Sequence, residues 1–242
     1  MSQLVTYVIH QGIATITMDD GHANVASPDF LDQLKQALAA AEAEQCAVIL
    51  TGRAEVFCAG FDLNVLRSGV GPAFKMLMGG FWLIHRLMAY PHPVVVACNG
   101  HAVALGAFIL LAGDYRLGVA GEYKIVANEV KNGLTMPHCA LVLCRYRLNP
   151  SHVQRAMLLS EVFNAEQAVE AGFLDAVVAT DKLLPSAERL AKEYLALNQA
   201  AHSDSKLRMR KSLLRRLKRA IKADRRGFVL MGLRRLLVKT KK

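Results

Sequence analysis

One stretch limits what this chain can fold into more than any other. The apolar, β-branched run Pro93-Val94-Val95-Val96-Ala97 leads into Asn99 to Asp114, Asn-Gly-His-Ala-Val-Ala-Leu-Gly-Ala-Phe-Ile-Leu-Leu-Ala-Gly-Asp. The order predicts a strand, a glycine-containing turn and then a small-residue helix that must pack closely on its neighbours. Such a connection aims the unpaired backbone N–H groups of a helix start at whatever lies in front of it. Taken alone it describes an ordinary βα unit of an α/β protein.

The preceding residues fit the same class. Leu4–His10 and Ile13–Met18 alternate apolar and polar side chains about Gln11-Gly12, which predicts a β-hairpin with one wet face. Ser27-Pro28-Asp29 opens a helix with a capping serine, a first-turn proline and an acid near the positive helix end. Ala47–Thr51 is too uniformly apolar for an edge strand. Glu55–Leu63 follows it as a loop too apolar for the surface, with Gly60 allowing close backbone approach and Asp62 able to cap a helix. A loop that faces inward must have its polar groups satisfied by protein, water or ligand.

Beyond a long helix at Phe74–Tyr90 and the Pro91-His92-Pro93 break, Tyr115–Val119 and Lys124–Val126 read as short strands. The loop Asn128–Pro137 carries one carboxylate, Glu129, between apolar residues. Helices are predicted from Pro137 to Leu148, His152 to Leu159 and Ala165 to Gly172, then a strand at Phe173–Val178. From Asp181 onward the pattern is helical: Leu183–Leu197, Lys206–Ala223 and a final segment to Leu237.

The formal charge of +10 needs to be located before it is interpreted. Residues 206–242 hold 16 of the 30 Lys and Arg and one acid, Asp224, so the tail carries +15 and the first 205 residues −5. A body that bound nucleic acid would carry its positive charge itself. The 53% hydrophobic content suffices for a large core. The longest apolar stretch, Ala102–Ala112, falls short of the roughly 20 residues needed to cross a bilayer, and no leader pattern is seen, so a cytoplasmic soluble protein is expected. The five cysteines form no Cys-x-x-Cys pair and are expected to be buried thiols, with no metal site.

Two of these stretches, read together, are specific. Phe57-Cys58-Ala59-Gly60-Phe61-Asp62-Leu63 resembles the Phe-x-Ala-Gly-x-Asp-Leu motif of the crotonase (enoyl-CoA hydratase/isomerase) superfamily. Asn99-Gly100-His101-Ala102, with its small-residue helix and Asp114, resembles that family's Asn-Gly-x-Ala-x-Gly-Gly-Gly segment, and Glu170-Ala-Gly-Phe-Leu-Asp175 matches as well. The resemblance implies an α/β fold, a crotonase-like spiral of ββα turns over residues 1–200. A basic helical C-terminal region would follow over 201–242, serving oligomerisation or acting as a lid, in a homotrimer or dimer of trimers. It implies an acyl-CoA thioester as substrate, with coenzyme A entering as part of that substrate and no separate cofactor. It further implies an oxyanion hole of two backbone N–H groups, which by position are those of Phe61 and Leu105, with Ala59, Gly60, Gly106 and Phe108 lining the substrate pocket.

Three positions depart from the pattern. Leu105 stands where the family keeps a glycine; a backbone amide still donates there, and the side chain is expected to narrow the pocket. Phe108 stands where the two-glutamate hydratases carry their first catalytic glutamate, and it can neither hold nor activate water. Glu129, in Asn-Glu-Val-x-x-Gly, matches the second glutamate, with one extra residue between Gly133 and Pro137. A buried carboxylate has a raised pKa suited to moving a proton. One such base suffices to shift a double bond from the β,γ to the α,β position, so the residues favour a 3-enoyl-CoA to 2-enoyl-CoA isomerase. A 2-enoyl-CoA hydratase of fatty-acid β-oxidation and a non-catalytic acyl-CoA binder are the alternatives, and the basic tail offers a separate reading as a nucleic-acid or membrane contact. His85, His101 and His138 lie near these motifs without a specific role.

Overall fold

A computed structural model describes residues 2–239, with side chains through residue 228. The chain opens with β1 (Val5–His10) and β2 (Ile13–Met18), joined at Gln11 and Gly12, both at positive φ as a two-residue hairpin turn requires. A short β3 (Val25–Ala26) precedes α1 (Pro28–Ala43), whose Ser27 hydroxyl accepts from the Phe30 N–H. Next come β4 (Ala47–Thr51), β5 (Glu55–Cys58), β6 (Gly60–Phe61), α2 (Leu63–Ser68) and α3 (Val70–Ala89). The middle of the chain forms β7 (Val94–Cys98), β8 (Gly100–Val103), α4 (Leu105–Leu111), β9 (Tyr115–Val119) and β10 (Ile125–Val126). It closes with α5 (His138–Arg147), α6 (Pro150–Leu158), α7 (Ala165–Ala171), β11 (Ala176–Val178), α8 (Leu183–Leu195) and α9 (Gln199–Lys239).

The main sheet runs β1-β2-β4-β7-β9-β11, antiparallel at its first pair and parallel thereafter. Alternation along β4 splits its residues between two cores. Ala47 and Ile49 pack with Val95, Leu117 and the Leu183, Ala187 and Leu190 face of α8, while Val48 and Leu50 join the larger core with α1, α3 and α4. Both faces of β4 and β7 are therefore covered, which is why they read as continuous apolar runs. The hairpin differs from its expected single wet face. As the edge strand, β1 exposes Tyr7, Val8 and Ile9 alike, and only Val5 is buried.

A second sheet, β10-β8-β5, is wholly parallel, and β3 pairs with β6 beside it. Here the structure corrects the strand-turn-helix reading of residues 99–114. The chain leaves β7 at Asn99 and immediately forms another strand, so the helix starts only at Leu105. Asn99 makes the transfer: its amide donates to the carbonyls of Gly52 and Arg53, and its oxygen accepts from the Gly52 N–H at 3.1 Å. A Cβ on Gly100 would stand 1.9 Å from the Glu55 carbonyl oxygen, so β8 pairs with β5 only because residue 100 is glycine.

The basic tail is one helix through Lys239, the last described residue. No proline interrupts residues 199–239, and α9 packs against α3 and α5 through Leu213, Leu217, Ala220 and Ile221. Two of its cations point inward. Lys206 Nζ lies 2.5 Å and an Arg210 guanidinium nitrogen 2.6 Å from the Asp114 carboxylate, all three buried or nearly so. Asp224, the tail's one acid, accepts from the His138 and Cys139 N–H groups at 2.8 and 3.0 Å, capping the positive end of α5. All five cysteines are buried free thiols, as expected. Among the described residues no helix is long and apolar enough to cross a membrane.

Candidate active site

The small parallel sheet assembles the site. Cys58 of β5 stands beside Ala102 of β8, and Val103 beside Val126 of β10. Moving on from those pairs, the chain reaches Phe61 after β5, Leu105 after β8 and Glu129 after β10. All three leave the C-terminal ends of adjacent parallel strands, the end at which open α/β sheets gather their ligands. The two expected donors and the expected base thus come to one edge of one sheet from positions far apart in sequence.

Glycines let these segments touch. Gly60 has φ +93°, and a Cβ there would stand 3.0 Å from the Ala104 Cβ and 3.7 Å from the Leu105 nitrogen, so β6 runs directly beside the start of α4. Gly106 is tighter: its Cβ would fall 2.1 Å from the Cys58 carbonyl oxygen. Between β8 and α4 the chain turns through Ala104 at φ 51° and ψ −117°, a conformation L residues rarely adopt. Leu105 is then the first helical residue, and a helix offers no acceptor of its own to a donor in that position. Asp62 fixes the other side by accepting from the Asn64 and Val65 N–H groups at the start of α2. Ala59, between the strands, donates its N–H to the Ala23 carbonyl.

The side chains of Phe61 and Leu105 both lie over Gly80 of α3, where a Cβ would meet them at 2.6 and 3.0 Å. Leu105 is fully buried there, and the Phe61 ring also meets Phe81 edge-on at 6.0 Å. Leucine at 105 is thus accommodated by the α3 packing. Phe108 is buried in the main core, one turn along α4.

Glu129 opens a tight turn held by the Asn132 and Leu134 N–H groups on its own carbonyl, and Ser160 accepts from the Lys131 N–H at 3.2 Å. Its side chain is buried and its Oε2 has no hydrogen-bond partner. Burial pushes its carboxyl up to about 7, a rise its own N–H only partly offsets. The charge is felt in α5, where burial first and Glu129 second push the Cys144 thiol up. An unpaired buried carboxylate that titrates near neutrality can take up and release protons at working pH.

The histidines have structural places. His101 Nδ1 accepts from the Lys124 N–H, and His138 contributes its backbone N–H to Asp224. His85 sits half-buried on α3, where burial and the Lys218 charge lower its pKa. Sequence reading missed Asn24. Fully buried, its amide donates to the carbonyls of Met18, Val56 and Phe57, tying β2 to the strand that leads into Gly60. The only sequence signal was an asparagine two residues past the polar run Asp19-Asp20-Gly21-His22, and the structure holds it at φ 51°.

Among the described residues no cluster of three His, Cys, Asp or Glu side chains suits a metal ion. Residues 8–232 match the family model described as enoyl-CoA hydratase/isomerase. The enoyl-CoA hydratase EchA3 from Mycobacterium ulcerans superposes with a TM-score of 0.90 at 43% identity, covering 93% of this chain and 100% of that one. An enoyl-CoA isomerase of Mycobacterium tuberculosis gives 0.88 at 42% identity, covering 95% and 99%. Human mitochondrial enoyl-CoA delta isomerase 1 is 30% identical over 227 residues, 90% of this chain and 74% of that protein. The same Mycobacterium tuberculosis protein is named a probable enoyl-CoA hydratase, EchA3, in one of its structures and an enoyl-CoA isomerase in another, so these names do not separate the two reactions.

Proposed function

Because the chain belongs to the enoyl-CoA hydratase/isomerase family, we propose that it converts a 3-enoyl-CoA to the 2-enoyl-CoA with Glu129 as sole acid and base. In this reading the Phe61 and Leu105 N–H groups donate to the thioester oxygen. Glu129 removes a proton from C2, the electrons spread over C2 to C4 and the carbonyl as a dienolate, and the same carboxyl returns the proton at C4. No atom is gained or lost. Each donor is worth ~10²–10³-fold in rate, because it meets charge that develops only as the proton leaves.

The observation that carries the proposal is the pairing of Glu129 with Phe108. A buried carboxylate whose pKa is about 7 suits a proton shuttle, and a buried phenylalanine replaces the group that would orient a water for hydration. The reading includes a trimer or dimer of trimers. Incubation with 3-enoyl-CoA and 2-enoyl-CoA separately tests it. Isomerisation should be fast, hydration slow, and Glu129→Gln should lose isomerisation by at least ~10³-fold. Hydration at a comparable rate would establish the hydratase alternative. Acyl-CoA binding without exchange of the C2 proton in deuterated water would establish a binder.

A further inference from the structure

The structure separates the charges of α9 into two sets. Lys206 and Arg210 face inward on Asp114, and Asp224 faces inward on α5. What remains outside between Arg208 and Arg226 is nine exposed cations with no exposed acid. Six of these, Arg208, Lys211, Arg215, Arg219, Lys222 and Arg226, recur at spacings of three and four and so form one stripe. The stripe lies opposite the buried Leu213, Leu217 and Asp224, and at 1.5 Å per residue it is about 27 Å long. Neither helix beneath α9 supplies a counter-charge, since α3 and α5 contain no Asp or Glu.

We propose that this stripe binds the phosphate backbone of a nucleic-acid duplex, a function separate from the acyl-CoA site. The charge arrangement favours that partner. An interfacial membrane helix buries its apolar face in lipid, but the apolar face of α9 is already spent on α3 and α5, and Met209 is the one large apolar side chain exposed from Arg208 to Gly227. Binding to single strands leans on aromatic side chains that stack with bases, and residues 208–227 contain none. Arginine forks suit phosphate oxygens, and a rigid cationic stripe of this length faces about eight successive phosphates of one strand.

The test uses the full-length protein, because α9 carries core residues and truncation would open the fold. Anisotropy of labelled DNA and RNA duplexes of about 20 base pairs, titrated from about 50 to 200 mM salt, should show affinity falling about a thousand-fold, as six phosphate contacts require. The combined variant Arg215→Gln, Arg216→Gln, Arg219→Gln, Lys222→Gln should weaken binding at least ten-fold at low salt. Its melting temperature should stay unchanged, and the arginines replaced by lysine should retain most of the affinity. No duplex binding at low salt, binding indifferent to the glutamine variant, or tighter binding to phosphatidylglycerol vesicles than to either duplex would overturn the proposal.

Discussion

Replacing Gly106 by alanine tests whether the approach of α4 to β5 positions the carbonyl-binding donors. The added Cβ would lie 2.1 Å from the Cys58 carbonyl oxygen, 2.9 Å from its carbon and 3.0 Å from its Cβ. Contacts between carbon and oxygen settle near ~3.3 Å, so the helix start must withdraw by about 1 Å. Cys58 is itself buried between Phe57 and Gly60 and has nowhere to retreat. Overpacking of this kind costs about 1–3 kcal/mol, and in a chain of this size each kcal/mol lowers Tm by roughly 2–4 °C. The catalytic loss should be larger. A donor displaced by ~1 Å no longer meets the developing oxyanion, and kcat should fall about 100-fold with little change in KM. Differential scanning calorimetry and steady-state isomerisation measure the two effects. Gly227→Ala is the control, since nothing lies within 4 Å of its added Cβ and it sits inside α9, where alanine should stabilise by about 0.5–1 kcal/mol. An alanine at 106 with parental kcat and parental Tm would refute the argument that this contact holds the site.

Two further outcomes follow from buried charge. With its pKa raised from 4.5 to about 7, Glu129 stays protonated in the fold where the unfolded chain has already lost its proton. It therefore does not oppose folding below about pH 4.5, costs progressively more as pH rises to 7, and levels off at about 3 kcal/mol above that. Glu129→Gln should accordingly match the parent in denaturant unfolding at pH 4.5 and exceed it at pH 8, while parental kcat rises with pH to a plateau above about 7. Asp114→Asn leaves Lys206 and Arg210 buried without a carboxylate, a loss of about 3–5 kcal/mol that thermal unfolding should register. Hydrogen exchange should show the first turns of α9 losing protection in that variant.

What could be read from the chain itself was what depends on neighbours in sequence. Ser27 and Asp62 cap their helices as their positions suggest, and β4 and β7 carry the apolar runs of strands covered on both sides. Of the short strands, β3, β5, β6 and β8 escaped because nothing local makes them strands. β8 exists because Gly100 meets Glu55, 45 positions away in sequence, and β6 because it lies beside Val25 and Ala26. The continuity of α9 escaped for a related reason. Its dense positive charge looks like a solvated tail until Asp114 is found beneath it and its own Asp224 is found turned onto α5, and these pairings with residues about 90 positions away leave no periodic trace. At the site, Phe108 and Glu129 were visible as residue types, whereas the missing partner of the Glu129 Oε2 is a property of the packed interior alone.

The clamp proposed for the thioester oxygen is written in the main chain. A mutation can change the side chain at 61 or 105 without deleting the amide, and Leu105, where the family motif keeps a glycine, packs over Gly80 of α3. The residues proposed to decide how protons are handled, by contrast, are the single side chains of Phe108 on α4 and Glu129 on the turn after β10, each replaceable by one codon. Under the proposed roles, holding the acyl group and deciding what becomes of it are inherited separately. A lineage built on this sheet can exchange one reaction for another at residues such as 108 while the part that recognises its substrate's carbonyl stays intact, shielded from the genetic code by being made of peptide bonds.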